Sequence, residues 1–515
     1  MLLATSEQIK LIDQRVSKLL SISTYELIGR AGDAIARVVQ KHIANGSKIV
    51  VLAGKGNNGA DGYAAAKRLL SNYQVVVYDI FGAGQHGNDG KCYLEEFVRD
   101  GGILNPYSDP ESLKSDLSDA DCIIDAIFGI GVSGDLPTFL IDIAELLRAV
   151  KNAVKIAVDI PLGVISDDGR VDERFAYAAD ATVSLCLLKP CNVSYPAKAY
   201  IGKLHYDDIG LNVTDVIPKE EFLYHLIDEQ NIKVLLPNRD DNTNKGSFGK
   251  LLLITGSSEY QGAGKLALEA ALRGGVGLVA YLGEKDQNDS LLREFPETIF
   301  KQRKAFENMQ QEDVNDIIAL AGKYDSVLIG SGCGRSDGLL TLVKSLLDSY
   351  KGNLILDADA INVLAEEPNE SRCLIASSEA RVIITPHPLE FARIRGCTAA
   401  DVNRDRIRLA REFSKECGCI TVLKGAATVS TDGDAVCINS SGSSALAKAG
   451  GGDVLAGFLS SLCTSSGALL QSAAAAVYIH ARAADVLAEE LSQYGVTPSD
   501  LPRQIAREIV KCKHN

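Results

Sequence analysis

The chain of 515 residues has no tryptophan, only 2 methionines, and no apolar run near the roughly 18 residues that a membrane span needs. No membrane-embedded segment is expected. A surplus of positive charge is also missing. Lys and Arg number 53 against 67 Asp and Glu, which leaves a net charge of −14 and a pI of about 5.1. That balance disfavours nonspecific binding to nucleic acid or to anionic membranes, but not binding of a nucleotide in a local pocket. No CxxC pair occurs among the 12 cysteines, and Cys417 and Cys419 enclose a single glycine, a poor metal spacing. Cys122, Cys186, Cys437 and Cys463 sit in apolar runs, so reduced, buried thiols in a cytoplasmic protein are expected. The first residues lack a basic segment followed by a long apolar stretch, and no secretory leader is expected. Internal repeats and low-complexity tracts are absent.

What is present is ordinary globular composition, 46% hydrophobic and 23% charged, in a chain too long for one core. Strand-like runs in the first half are Lys48–Ala53, Gln74–Asp79, Asp121–Asp125, Val154–Asp159 and Thr182–Leu187, with helical segments between several of them. A helical arm over 6–40 precedes them. The second half restarts at Gly249–Gly256 and continues with Ser326–Ile329, Asn353–Leu356, Val382–Thr385 and Ile420–Leu423, with alanine-rich helices at Gly264–Arg273 and Ala473–Leu487. Thr428–Ile438 reads as a hairpin turned at Asp432-Gly433. Between the halves, 210–240 shows prolines, a charged run and no strong strand. The expectation is two doubly wound α/β domains, 1–214 and 225–515.

The most informative motif is Lys448–Gly457, in which Gly450, Gly451 and Gly452 run into Asp453 before a helical stretch, Val454–Cys463. Glycines bare their N–H groups, and a helix start adds unpaired donors and a positive dipole end, so an anion hole for phosphate is expected. Asp453 at its lip suits a base for a hydroxyl that attacks a phosphoryl group. In the first half, Gly54-Lys-Gly-Asn-Asn-Gly59 follows a strand, and Asp79 ends the next strand about twenty positions on, a dinucleotide-like spacing. The motif continues to Asp61 and Gly62, and its Asn and Asp oxygens suit a hard cation or ribose hydroxyls.

These motifs carry a resemblance. Gly54–Gly62, Asp125–Gly131 and Val158–Pro161 are similar to the NAD(P)H-hydrate epimerase family. Gly256–Ala263, Asp357–Val363, Thr385–Pro388, Lys424–Thr428 and Gly450–Leu455 resemble the ADP-dependent NAD(P)H-hydrate dehydratases. The order is that of the fused enzyme and spans nearly the whole chain. The resemblance implies two three-layer domains, a Rossmann-like one followed by a ribokinase-like one. It implies that Asn57, Asn58, Gly59, Ala60 and Asp61 bind the hydrated cofactor, that Gly129, Ile130, Gly131, Val132, Ser133, Gly134 and Asp135 form a phosphate-binding turn, and that Asp159 is the acid/base. Asn58 and Asp125 match potassium ligands. Lys189 could assist; taken alone it reads as a surface lysine. In the second half it implies Asp453 as base, Lys424, Gly425, Ala426, Ala427 and Thr428 with Gly450–Gly452 at ADP or ATP, and Ala263, Gly332, His387 and Glu390 at the hydrate. His387 reads as a positioning group. Asp357 and Asp359 read equally as helpers of Mg2+ or as helix caps. A homo-oligomer is expected from the resemblance.

The chain departs from the family pattern in both halves. Gly29 replaces an early glutamate, Ala60 a second glycine, and Leu162 a serine, which removes an oxygen from the implied potassium site. Ser331 replaces a proline, Leu389 a glycine, and Gly451 a serine. Three rival functions stay open: a ribokinase-type small-molecule kinase, an NAD-dependent oxidoreductase built on Gly54–Gly59 and Asp79, and a nucleotide sensor without turnover.

Overall fold

Runs of β-branched residues become strands here because both faces of each strand are covered. In β1 (Lys48–Ala53), Ile49, Val51 and Ala53 enter one apolar core while Val50 and Leu52 enter another. The next strand, β2 (Gln74–Asp79), divides its residues the same way. Alternation into two cores is what a sheet sandwiched between two helical layers requires. The computed structural model describes all residues except 83–86, 132–135, 237–238, 240 and 515. It divides into two compact units, Leu2–Tyr224 and His225–Asn515, the latter with Met1.

In the first unit, β3 (Ile103–Pro106), β4 (Cys122–Ala126), β5 (Val154–Val158), β6 (Ala181–Leu185) and β7 (Lys203–Asp207) complete a seven-stranded sheet in the order β3-β2-β1-β4-β5-β6-β7, parallel throughout. The edge strands β3 and β7 escape the sequence reading because edges are half-exposed and carry no continuous apolar run. The expected helical arm is two helices, α1 (Ser6–Leu19) and α2 (Thr24–Val39). Ser21 takes a left-handed φ of 55°, and Ser23 caps α2 by accepting the Glu26 N–H. A further helix, α3 (Asn57–Leu69), follows β1.

The second unit contains β8 (Lys250–Ile254), β9 (Leu278–Gly283), β10 (Ile299–Gln302), β11 (Ser326–Ile329), β12 (Asn353–Leu356), β13 (Arg381–Ile384), β14 (Ile420–Leu423), β15 (Val429–Thr431) and β16 (Val436–Asn439). Their order is β16-β15-β14-β13-β12-β11-β8-β9-β10, parallel from β14 to β10 and antiparallel in the β14-β15-β16 meander. The hairpin expected at Asp432-Gly433 is β15–β16, with Gly433 at φ 98°. The joining segment, expected to lack a strand, carries a short one, Tyr224–Ile227. Three helices matter below: α4 (Gln261–Arg273), α5 (Gly451–Thr464) and α6 (Leu469–Gly495). Helices α4 and α5 cross closely at Gly457, which faces the Ala267 carbonyl. Among the described residues no helix is long and apolar enough to cross a membrane, and no disulfide forms.

Candidate active sites

Strand order reverses between β1 and β4, the point at which open α/β sheets hold ligands at their carboxyl ends. There the chain leaves β1 at Gly54 and enters α3 at Asn57. A Cβ on Gly59 would lie 1.8 Å from the Gly54 carbonyl oxygen, so only glycine closes this turn. The turn delivers Asn57, Asn58 and Asp61 to the wall of a cavity of about 540 Å3, which Gly129, Ile130, Gly131 and Asp159 also line. Gly59 and Ala60 lie behind the wall and are buried. The expected phosphate-turn residues Val132, Ser133, Gly134 and Asp135 lie outside the described residues.

Asp159 follows β5 with a φ of 65°, a left-handed conformation that a non-glycine residue holds only where its surroundings enforce it. Lys189 enforces it in part. Its ammonium donates to Asp159 Oδ1, to the Leu185 carbonyl at 2.8 Å and to Ser184 Oγ at 3.4 Å, and the side chain is 1% exposed. The surface-lysine reading is therefore wrong: Lys189 is a buried member of the pocket. Burial, then the charges of Asp159 and Asp13, hold the Asp61 carboxyl well above the usual carboxylate range. The pocket's other wall comes from α1 and α2 and includes Ile9, Lys10, Asp13, Ile28 and Ala31. Ile28 and Ala31 belong to the early element in which Gly29 replaces a glutamate; no motif marks Ile9, Lys10 or Asp13, which only an amphipathic helix whose polar side meets a cavity could have suggested.

Two expected ligands behave differently. Asp125 is buried outside the cavity wall, where its carboxylate accepts the N–H groups of Ile127 at 3.1 Å and Leu162 at 2.9 Å, and burial raises its pKa. Asp79, the carboxylate of the dinucleotide-like spacing, is 2% exposed and accepts the N–H groups of Phe81 and Gly82 in its own turn. A ribose-binding aspartate needs an open carboxylate, so this geometry weighs against the oxidoreductase reading.

In the second unit, α5 starts at Gly451, so Asp453 lies inside the first helical turn rather than ahead of it. Gly450 makes the entry possible with a φ of 102°. Lys448 ties down the approach by donating to the carbonyls of Tyr494, at 2.7 Å, and Val496. First-turn N–H groups have no carbonyl within their own helix, which leaves those of Gly452 and Asp453 for an anion. Asp453 itself has no hydrogen-bond partner among the described residues. Burial and then the charge of Asp357 push its carboxyl up to about 7, against the pull of Lys424.

Lys424 follows β14, and a Cβ on Gly452 would lie 3.5 Å from its ammonium. Burial alone would lower its pKa, but Asp357, Glu390 and Asp453 outweigh burial and raise it. Asp357 accepts from Lys424 Nζ at 2.9 Å and Thr385 Oγ1 at 2.7 Å on one oxygen, and from Ser331 Oγ at 2.7 Å on the other. Asp359 accepts the Gly334 N–H at 2.9 Å. Neither aspartate caps the helix Asp359–Leu364, which has no side-chain cap. His387 Nδ1 accepts the N–H groups of Leu389 and Glu390, and its Nε2 lies 3.2 Å from Glu390 Oε1. Burial, then Lys424, lowers its pKa. Ala263 and Gly332 face each other, since a Cβ on Gly332 would fall 2.5 Å from the Ala263 Cβ. In the loop after Lys424, Thr428 Oγ1 donates to the Gly425 carbonyl at 2.9 Å and Arg406 reaches the Leu423 and Lys424 carbonyls, which leaves Ala426 and Ala427 at the tip. Buried His480 on α6, unmarked by any motif, is pushed down to about 4 by burial. A larger cavity of about 770 Å3, lined by charged residues such as Lys265, Arg273 and Arg503, contains none of these groups.

With both sites defined, comparison with known proteins is informative. The N-terminal domain model of YjeF-related proteins matches residues 24–191, and the NAD(P)H-hydrate dehydratase model matches residues 251–507. The bifunctional NAD(P)H-hydrate repair enzyme Nnr of Thermofilum pendens is 31% identical over 99% of this chain and 96% of its own length. Those of Moorella thermoacetica and Escherichia coli are each 30% identical, over 97% and 98% of this chain and 95% and 93% of their own lengths. The chain belongs to the bifunctional NAD(P)H-hydrate repair enzymes. A solved ribokinase-like superfamily protein from Enterococcus faecalis has the fold of the second unit, with a TM-score of 0.50 and 22% identity over 57% of this chain and 97% of its own.

Four of the six departures from the repair-enzyme pattern have a local explanation or a local cost. At Gly29 a Cβ would lie 2.5 Å from the Tyr93 hydroxyl, which instead donates to the Tyr25 carbonyl and occupies the space of the missing glutamate. Ser331 uses the freedom from proline to hold Asp357. Leu389 is 47% exposed and serves the His387 turn with its backbone rather than its side chain. Leu162 is buried in the apolar core of the first unit and brings no oxygen to Asp125 beyond its backbone.

Proposed function

We propose that this repair enzyme divides its work between residues 1–214, which interconvert the R and S hydrates of NADH and NADPH, and residues 225–515, which dehydrate the S hydrate at the expense of ADP or ATP. The observation that carries the reading is the Asp453 site: a carboxyl raised to about 7, without a protein partner, beside a glycine-rich helix start and the Lys424 ammonium. Asp453 takes the proton of the hydrate's hydroxyl as that oxygen attacks the terminal phosphoryl group. The Gly452 and Asp453 N–H groups and Lys424 hold the charge that gathers on the transferring oxygens. Departure of phosphate and loss of the neighbouring ring proton then restore the dihydronicotinamide. His387 and Glu390 fix the wall against which the hydrate sits. A magnesium ion would arrive on the nucleotide, because Asp357 has both oxygens engaged; Asp359 retains the freer carboxylate to orient its waters.

In the first unit Asp159 is proposed as the acid/base and Lys189 as the group that positions it. Asn58 and Asp125 are not proposed as a potassium site. Both Asp125 oxygens accept backbone N–H groups, and Leu162 withholds the serine oxygen. Epimerisation is therefore expected to run at rates within about twofold in potassium and in choline buffers of equal ionic strength; a tenfold potassium activation would restore the ion to the site. Leu162→Ser is expected to introduce a potassium response.

The test of the whole reading is recovery of dihydronicotinamide absorbance from a mixture of both hydrates, with and without ADP or ATP. Nucleotide-dependent recovery that consumes both epimers is expected. A stable phosphorylated product would favour the kinase reading, and binding without turnover the sensor reading. A reduced-thiol, cytoplasmic homo-oligomer remains the accompanying proposal for the molecule's setting.

A further inference from the structure

We infer that Asp13 is a second catalytic carboxyl of the N-terminal pocket, working from the helical wall on the same carbinol carbon that Asp159 serves from the strand-end wall. The inference rests on the epimerase reading above and extends it to a residue outside every recognised motif.

Its position is the first argument. Helix α1 buries Ile9, Ile12 and Val16 as an apolar stripe, and Asp13 lies beside that stripe at the rim of the 540 Å3 cavity. Asp13 is exposed there, so its carboxylate opens toward the cavity and solvent. Lys10 stands one turn earlier on the same helix, and Lys55 and Lys189 line the same cavity, yet Asp13 has no hydrogen bond or ion pair among the described residues. The cavity offers a ligand a polar anchor, because Asn58, 9% exposed and in its wall, has an amide Nδ2 with no partner.

Chemistry supplies the second argument. Inverting a carbinolamine carbon requires a hydroxyl to leave one face and water to arrive on the other. The leaving oxygen needs a proton, and the arriving water must lose one, so acid and base must address both faces. With Asp13 as acid, its proton passes to the hydroxyl, the carbon–oxygen bond breaks, and water leaves as the ring nitrogen's lone pair closes a C=N bond. Water then adds to the opposite face, its electron pair returns the C=N pair to nitrogen, and its proton goes to Asp159. The other epimer runs the steps in reverse, and solvent exchange resets the two carboxyls. No reagent beyond water is consumed.

The charged groups around Asp13 suit this role. Crowding by the protein, opposed by Lys189 and helped by the Asp159 charge, pushes its carboxyl up to about 6, where it both gives and takes a proton near neutrality. Burial, then the charges of Asp159 and Asp13, raise the neighbouring Asp61 carboxyl as well.

The experiment measures interconversion of purified R and S hydrates by the full-length protein, without nucleotide, across pH 5–9. Asp13→Asn is expected to lower kcat at least about 100-fold with KM changed less than about threefold, and to erase a limb of the pH profile near 6. Asp13→Glu should recover part of kcat, and Asp13→Asn should melt no lower than the wild type, because Asp13 makes no hydrogen bond or ion pair and its raised carboxyl costs stability once ionised. Wild-type rates in Asp13→Asn, a loss confined to KM, or an unchanged pH profile would overturn the assignment alone. Absence of epimerisation in the wild type would overturn the epimerase reading beneath it.

Discussion

Asp453→Asn is expected to slow dehydration of the S hydrate by about 1,000-fold while nucleotide binding persists. The amide keeps the size of the side chain and leaves the backbone donors of the helix start in place, so the phosphate subsite survives. What disappears is the proton acceptor. The measurement is single-turnover dehydration beside calorimetric nucleotide binding; an unchanged rate would remove Asp453 from its role. The pH dependence follows from the same group. A carboxyl raised to about 7 is a base only once ionised, so wild-type kcat/KM should climb through pH 6–7 and level above it. The stability effect has the opposite sense. A carboxyl whose pKa is higher folded than unfolded binds its proton more tightly in the native state, so its contribution falls as pH rises from about 4 to 7. Asp453→Asn should therefore raise the melting temperature at pH 8 relative to wild type, and should not at pH 4. The same burial that raises the carboxyl makes its charge costly.

Lys189→Met should damage the first unit in both stability and chemistry. Removing one partner of a buried ion pair leaves the other as an uncompensated charge, a loss of about 3–5 kcal/mol. Here the orphan is Asp159, already held in a left-handed conformation and 11% exposed at its side chain. Urea unfolding of the full chain should show the first unit melting earlier, and epimerisation should fall with it. Asp159→Asn combined with Lys189→Met should be more stable than Lys189→Met alone, because no unpaired charge remains; a double variant that is less stable would mean that the pair is not energetically coupled. Dehydration by the second unit should be untouched in either case.

Lys189 also shows where sequence reasoning ends. A lysine before a proline, after a strand, reads as solvated until the backbone folds back and buries it. The arrangement of Asp453 and its glycines was legible because it is local: helix start, glycine turn and aspartate are neighbours in the chain. The buried strands were legible for the same reason, since covering both faces writes a continuous apolar run. Edge strands such as Ile103–Pro106 were not, because half-exposure erases that run.

By itself, then, the sequence determined the two α/β units, the ordered motifs that place the chain among the repair enzymes, and the groups whose chemistry depends on residues a few positions apart. Tertiary structure alone decided that Asp13 on the first helix shares a pocket with Asp159 and Lys189, that Ser331, Thr385 and Lys424 converge on Asp357, and that the Asp125 carboxylate is engaged by backbone. These are contacts between segments far apart in the chain, and their energies come from burial and pairing that no local pattern records.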